Sequence, residues 1–294
     1  MISVAIQGGA MRSIYCLGAI RALTESSYSD QITSMHVASA GCISGMVLAN
    51  QLTQPGSITV SEMAEQLVSR LAGPQFIDQR RIRKVVDVDY LVQVTKEVTS
   101  VSAAALAEHG LVFEVALTDA MTASAAYINV AESSSDFQLY ESLRATMAIP
   151  VLYPPKVRIE GRRYIDGGIA DPLPVMRALR YEPEMVIAIS SVPRGALGIA
   201  LEGREANFIR YTPGISGAVR HLMLTKNPLA DAVDGLLDLK SFCRIPLLRI
   251  SPSNAALLGH RLETDKRKLL ALEALGYQDA LQALAELNET KVDL

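Results

Sequence analysis

Ser39 stands where two opposite patterns meet, in the stretch Met35 to Ala49, MHVASAGCISGMVLA. Ile32, Met35 and Val37 lead in with the apolar spacing of a strand, and Ile43, Met46 and Val47 lead away at helical spacing. Ala40 and Gly41 directly after the serine are small, as a strand that turns at once into a helix requires. This order predicts that Ser39 stands exposed at the turn and faces the helix N-terminus, where free N–H groups and about half a positive charge favour an alkoxide. A serine hydroxyl is a weak nucleophile at its own pKa, so acyl transfer also demands a base and donors for the oxyanion.

Two glycine-bearing pieces accompany it in the chain: Gly8-Gly9-Ala10-Met11-Arg12-Ser13, and Asp166-Gly167-Gly168 followed by Leu173-Pro174. Each alone has a simpler reading. Ser39 would be a helix N-cap, Asp166-Gly167 a turn, and Gly8-Gly9 a generic anion-binding loop without the full GxGxxG spacing or a P-loop lysine. His36, His109, His221 and His260 leave a conventional triad open by composition, but none lies in a recognisable motif. His36 precedes Ser39 on the strand, from where its ring cannot easily fold round to the hydroxyl. Arg12 opens a helix, which predicts an acidic or anionic partner, a structural carboxylate before a lipid headgroup. Cys42 reads as a small buried hydrophobe, and Asp119 and Asp171 as turn or capping residues.

The elements that must carry these residues follow in order. Ser3 to Gln7 is an apolar strand, Gly8-Gly9 a turn, and Ile14, Leu17, Ile20 and Leu23 mark a helix, so the chain begins strand, glycine turn, helix, strand, serine turn, helix. That βαβα order implies a parallel sheet with both turns opening at the carboxyl edge. Thr59 and Glu62 make a capping box for a helix that Gly73-Pro74 stops, and a helix is expected over Ile82 to Ala107 despite β-branched Val85 to Val94. Leu111 to Leu117 and Ala125 to Val130 read as strands, Tyr140 to Met147 as a helix ended by Pro150. After Pro154-Pro155 come a strand at Val157 to Ile159, a turn at Glu160-Gly161 and a strand at Arg163 to Ile165. Met185 to Ile189 is a buried strand, Leu247 to Ile250 a last one, and Thr264 to Glu289 is helical. Between Pro193 and Ser241 the pattern loosens. With no repeat or linker, the reading is one domain over residues 1–294, with residues 193–241 as a lid or variable segment whose plainer alternative is packed core.

Composition bounds the rest. The 294 residues are 49% hydrophobic and 20% charged, enough apolar material for a large core. Net charge is −3 with no basic run, which argues against nucleic-acid binding. Cys16, Cys42 and Cys243 lack CxxC spacing or histidine companions, so neither a disulfide framework nor a zinc site is suggested. The N-terminus reads as a strand rather than a leader, and no apolar run approaches the roughly 20 residues of a membrane span. The expectation is a cytoplasmic protein that meets lipid only peripherally, at the membrane surface.

In their order and separations, the glycine turn, Ser39-Ala40-Gly41 and Asp166-Gly167-Gly168 resemble the patatin-like phospholipase family of acyl hydrolases. The resemblance extends through Leu117-Thr118-Asp119, Arg144 to Pro150, Tyr153-Pro154-Pro155, and Arg261-Leu262-Glu263 to Leu275-Gly276-Tyr277. It implies a three-layer α/β/α fold with a mostly parallel central sheet. It makes Ser39 the nucleophile, Asp166 its only side-chain partner, and the backbone around Gly8, Gly9, Ala10 and Met11 the oxyanion hole. It implies lipid or other acyl-ester substrates, an acyl-enzyme intermediate, and no metal or cofactor.

The chain departs from the family pattern at Val37, two residues before the serine, and at Ala10 and Ser13, all usually glycine. Backbone N–H groups survive these changes, but a position needing positive φ is strained by alanine or valine. The departures imply lowered or narrowed activity. They leave room for a non-catalytic acyl- or lipid-binding protein that kept the pocket, and for a soluble esterase or thioesterase with no membrane role.

Overall fold

The computed structural model describes residues 1–81, 84–153, 157–198 and 200–292; Ile82, Pro154 and Pro155 of the expected elements lie outside the described residues. The strands are β1 (Ile2–Ile6), β2 (Ile32–Ala38), β3 (Val112–Asp119), β4 (Ala125–Asn129), β5 (Val157–Ile159), β6 (Arg162–Ile165), β7 (Met185–Ile189), β8 (Ser241–Phe242) and β9 (Ile245–Ile250). They form one sheet in the order β5-β6-β3-β2-β1-β7-β9-β8, with β4 also on β3. The central five, β3-β2-β1-β7-β9, are all parallel, and Val4 lies opposite both Met35 of β2 and Ile187 of β7. Antiparallel pairs lie outside this centre, at β3 with β4, β3 with β6, β5 with β6, and β8 with β9.

Strands covered on both faces read as unbroken apolar runs, because successive side chains point to opposite sides. In β1, Ile2, Val4 and Ile6 join one core and Ala5 the other; in β7, Met185, Ile187 and Ile189 oppose Val186 and Ala188. Helices α1 (Ile14–Thr24), α2 (Gly41–Thr53), α3 (Val60–Leu71), α4 (Val88–Thr99), α5 (Ala103–His109) and α6 (Asp136–Thr146) bury apolar residues in the larger core. Helix α7 (Val175–Leu179) lies on the opposite face, α8 (Gly203–Tyr211) and α9 (Gly217–Leu224) stand over the sheet edge, and α10 (Pro228–Asp238) joins α7. The long α11 (Lys266–Val292) returns to the larger core against α1. The fold is three-layer α/β/α.

Two local differences from the expected elements have clear causes. The helix expected from Ile82 begins at Val88, because Val86 is drawn into a bridge with Ile77 and Asp87 then caps the helix through the Tyr90 N–H at 3.1 Å. It also breaks at Ser100, which is left-handed, before Ser102 caps α5. The Thr59–Glu62 capping box forms as expected. The loosely patterned 193–241 segment divides: Ala230, Val233 and Leu237 of α10 are packed core, whereas α8 and α9 wall a cavity. Among the described residues no helix is long and apolar enough to cross a membrane.

The strand order runs outward from β1 in both directions, toward β2 and β3 on one side and β7 and β9 on the other. In open α/β sheets the crevice at the carboxyl ends beside such a reversal is where ligands bind. The turns after β1, β2 and β7 meet there.

Candidate active site

Strand β2 ends at Ala38 and α2 begins at Gly41, so Ser39 occupies the link with φ 51, in the left-handed region. Such a conformation is costly for a residue with a Cβ and persists only when the surroundings hold it. The holding group is Thr146, at the end of α6, whose Oγ1 accepts from the Ser39 N–H at 2.8 Å while donating to the Ala116 carbonyl at 2.7 Å. Gly41 lies against the Gln7 carbonyl, where a Cβ would meet the oxygen at 2.6 Å. Contrary to expectation, Ser39 is not exposed at the surface; it is 6% accessible and lines a cavity that is open on one side. Val37 is not strained. It lies in regular β2, and the room its side chain needs is left by Gly45, where a Cβ would meet Val37 Cγ1 at 2.9 Å.

Asp166 follows β6 and is fixed through its backbone on two sides. Its N–H donates to the Ala148 carbonyl at 3.1 Å, and its carbonyl accepts from Thr118 Oγ1 at 2.7 Å. Gly167 packs so tightly on the Ala116 carbonyl that any side chain would overlap it. The carboxylate then has two partners: Oδ1 accepts from the Gly168 N–H at 2.8 Å and Oδ2 from Ser39 Oγ at 2.6 Å. Burial pushes the Asp166 carboxyl up to about 6, against the opposing pull of the Ser39 and Gly168 hydrogen bonds and the charge of Arg261.

The glycine turn after β1 completes the site. Gly8 lies against Ser39, where a Cβ would overlap the serine side chain. Gly9 adopts φ 154 and Ala10 φ 52, so the alanine departure does fall on a left-handed position. Ser13 remains helical and its Oγ donates to the Ala10 carbonyl at 2.6 Å. The Gly9 and Ala10 N–H groups find no acceptor among the described residues. The Met11 N–H, by contrast, is already engaged by the Arg261 carbonyl at 3.0 Å. Among the described residues Arg12 forms no salt bridge, although the charge of Glu205 acts on it; its guanidinium donates to the Gly259 carbonyl at 3.1 and 2.9 Å.

Gly8, Gly9, Ala10, Ser39 and Asp166 line one cavity of about 590 Å³, a size suited to a small organic molecule or an acyl chain. Its apolar wall includes Ile149, Leu201, Phe208, Ile209, Leu222 and Met223, while Arg12, Arg261 and Glu205 supply charge and His260 a polar ring.

The histidines take other roles. His36 is fully buried and pairs with Glu114 at 3.0 Å. Burial holds its imidazole below the ordinary range, and Glu114 is itself bound by Arg177 at 2.7 and 2.5 Å. His260 lines the cavity, but its Nδ1 accepts from the Leu262 N–H. Among the described residues no histidine hydrogen-bonds Ser39 or Asp166, and no group of three or more potential ligands could hold a metal ion. Asp119 accepts from the Met121 and Thr122 N–H groups as a turn residue, Cys42 is fully buried, and Asp171 is buried against Tyr127 at 2.6 Å. Thr118 and Thr146, which fix the two facing residues, were visible in the sequence only as members of longer matching runs.

Comparisons with known proteins give one family and two partial likenesses. A family model described as patatin-like phospholipase matches residues 4–179, more than half of the 294-residue chain. A 51-residue stretch is 43% identical to the uncharacterized protein YjjU of Escherichia coli (strain K12), covering 17% of this chain and 14% of that protein. The crystal structure of VipD from Legionella pneumophila aligns over 97% of this chain and 66% of its own, at 13% identity and a TM-score of 0.47. The chain therefore spans less than two thirds of either relative's length.

Proposed function

The chain belongs to the patatin-like phospholipase family, and from that premise we propose that it is a serine acyl hydrolase working through a Ser39–Asp166 dyad. The observation that carries this reading is the 2.6 Å hydrogen bond from Ser39 Oγ to Asp166 Oδ2 beside a large, mainly apolar cavity. In the first half-reaction Ser39 Oγ attacks the ester carbonyl carbon while its proton passes to Asp166. The carbonyl oxygen takes the negative charge and is received by the Gly9 and Ala10 N–H groups. Collapse of this intermediate breaks the ester C–O bond, and Asp166 returns the proton to the leaving alcohol. Water then attacks the acyl-enzyme, Asp166 accepts its proton, and the acid departs as Ser39 is reprotonated.

The energetics favour transfer of the proton together with attack. Even at about 6, the Asp166 carboxyl is far more acidic than a serine hydroxyl, so complete deprotonation beforehand is steeply uphill. The oxyanion donors must therefore supply a large share of the barrier reduction, and one donor is typically worth about 3 kcal/mol. Donors already unpaired in a buried site stabilise the developing charge without reorganisation.

The substrate side of the proposal is a lipid or other carboxylic ester whose acyl part lies against Phe208, Ile209, Leu222 and Met223. The lid is confined to α8 and α9, whose Ile209, Leu222 and Met223 face the cavity, while Phe208 stands at its rim, 60% exposed, and Tyr211 is 78% exposed. That pairing of an apolar inner wall with exposed aromatic residues supports peripheral contact with a lipid surface. The test compares wild type, Ser39→Ala and Asp166→Asn on short-chain esters and on phospholipid vesicles. Hydrolysis by wild type alone is the expected result. Turnover of short esters with none on vesicles would indicate a soluble esterase, and co-purified lipid without turnover a binding protein.

A further inference from the structure

Ser191 has no role in the reaction described above, yet it is fully buried directly behind the glycine turn. It follows β7, the strand on the far side of β1 from β2. Its N–H donates to Gln7 Oε1 at 2.8 Å, and the same oxygen accepts from Ser190 Oγ at 2.7 Å. These two bonds fix the backbone of the β7 turn to the end of β1. The Ser191 hydroxyl then donates a short hydrogen bond to the Gly8 carbonyl.

The direction of that bond matters because the Gly8–Gly9 peptide is planar. Across a trans peptide the C=O and N–H point to opposite sides. Holding the Gly8 oxygen toward Ser191 therefore turns the Gly9 N–H away from Ser191. Gly8, Gly9, Ala10 and Ser39 line the main cavity, and Ser191 is not among its lining residues. A Gly9 N–H turned away from Ser191, at a residue lining the cavity and with no acceptor among the described residues, fits a donor that faces the cavity. We propose that Ser191 is a positioning residue that latches the Gly8–Gly9 peptide in the orientation presenting the Gly9 N–H to the developing oxyanion.

Gly9 is explained by the same contact. A Cβ there would overlap Ser191 Oγ, so the latch requires a residue with no side chain, in addition to the preference of φ 154 for glycine. Without the hydroxyl, the Gly8 carbonyl loses its partner. A rotated peptide would then place a carbonyl oxygen where a donor is needed, which repels rather than stabilises an oxyanion. The inference rests on the Ser39–Asp166 reading, because it assigns a function to the peptide facing that serine.

The test uses the full chain as wild type, Ser191→Ala and Ser39→Ala, with p-nitrophenyl butyrate as substrate. A trifluoromethyl ketone, which binds serine hydrolases as a charged hemiketal, is compared with its unfluorinated methyl ketone. We expect Ser191→Ala to lower kcat ten- to hundredfold with KM within about threefold. Affinity for the trifluoromethyl ketone should fall by a similar factor while that for the methyl ketone changes little. A purely structural role would move both ketones and the melting temperature together. Should Ser191→Ala not fold, Ser191→Cys, with its weak thiol donor, is read in the same way. Unchanged kcat and unchanged trifluoromethyl ketone affinity in a folded variant would overturn the latch while leaving the dyad intact. Absence of wild-type turnover would overturn both.

Discussion

Ser39 Oγ donates a 2.6 Å hydrogen bond to Asp166 Oδ2 across 127 positions of sequence, and both residues are more than nine-tenths buried. Neither side chain reaches the other by local structure. Strand β2 delivers the serine, β6 the aspartate, and β3 lies between them, binding Asp166 through Thr118 and receiving Thr146 at the Ala116 carbonyl. The proposed dyad is therefore a product of sheet order.

Burial gives the pair a defined pH response. With the Asp166 carboxyl raised to about 6, the proposed base is ionised above that pH and protonated below it. The profile of kcat/KM should show an acid limb near pH 6, falling about tenfold per unit below it. Asp171 is also raised to about 6 by burial, but it contacts Tyr127 rather than Ser39. The limb should accordingly persist in Asp171→Asn, and its displacement in that variant would reassign it.

The same shift predicts a trade between stability and activity at Asp166. The folded carboxyl, raised from 3.8 to about 6, keeps a proton that the unfolded chain has lost between those values. Its stabilising contribution is thus fully present below pH 3.8 and lost as pH rises through 6. Asp166→Asn has no charge to bury, so relative to wild type it should gain stability from pH 4 to 7, by an amount on the order of 3 kcal/mol at most. Thermal melts across that range check the sign. A variant equally destabilised at both ends would show that the carboxylate is held by contacts outweighing its burial.

Thr146 is expected to matter out of proportion to its distance from substrate. Thr146→Val removes the acceptor of the Ser39 N–H and the donor to Ala116, leaving two buried groups unpaired at about 1–3 kcal/mol each. Chemical denaturation should report that loss. Ester hydrolysis should fall at least about tenfold in kcat as the left-handed turn at Ser39 relaxes.

Ala10 carries strain that glycine would relieve. At φ 52 an alanine sits in a region costing roughly 1–2 kcal/mol, partly offset because glycine loses more freedom on folding. Ala10→Gly should raise the unfolding free energy by a net of about 0.5–1 kcal/mol, read as a higher melting temperature. A lower melting temperature would place the compensation in contacts of the alanine methyl.

Much of this architecture was legible because it rests on period and small residues. The apolar runs of β1 and β7, the glycine turn and the serine turn follow from chain chemistry that needs no distant partner. The Thr59 capping box is equally local. What was hidden depends on tertiary contacts. The Val86 bridge that delays α4, the carbonyl of Gly259 that receives Arg12, and the Arg261 carbonyl that takes the Met11 N–H all come from segments remote in sequence. The burial of Ser39 belongs to the same class, since α8 and α9 wall a cavity beside a turn that local pattern placed at the surface. Val37 shows the converse, a departure from family pattern that Gly45 accommodates across the β2–α2 pair.

Loss of the nucleophile itself gives a further expectation. Ser39→Ala should lower kcat by at least about a thousandfold while preserving the fold. Far-UV circular dichroism and melting establish the second point, and residual turnover near the wild-type level in a folded variant would remove Ser39 from the reaction.

The most direct measurement is peptide mapping by mass spectrometry after treatment with a fluorophosphonate probe. The expected result is one covalent adduct on Ser39 in wild type, formed much more slowly in Asp166→Asn and not at all in Ser39→Ala. An adduct on another residue, or undiminished labelling of Ser39→Ala, would contradict the account.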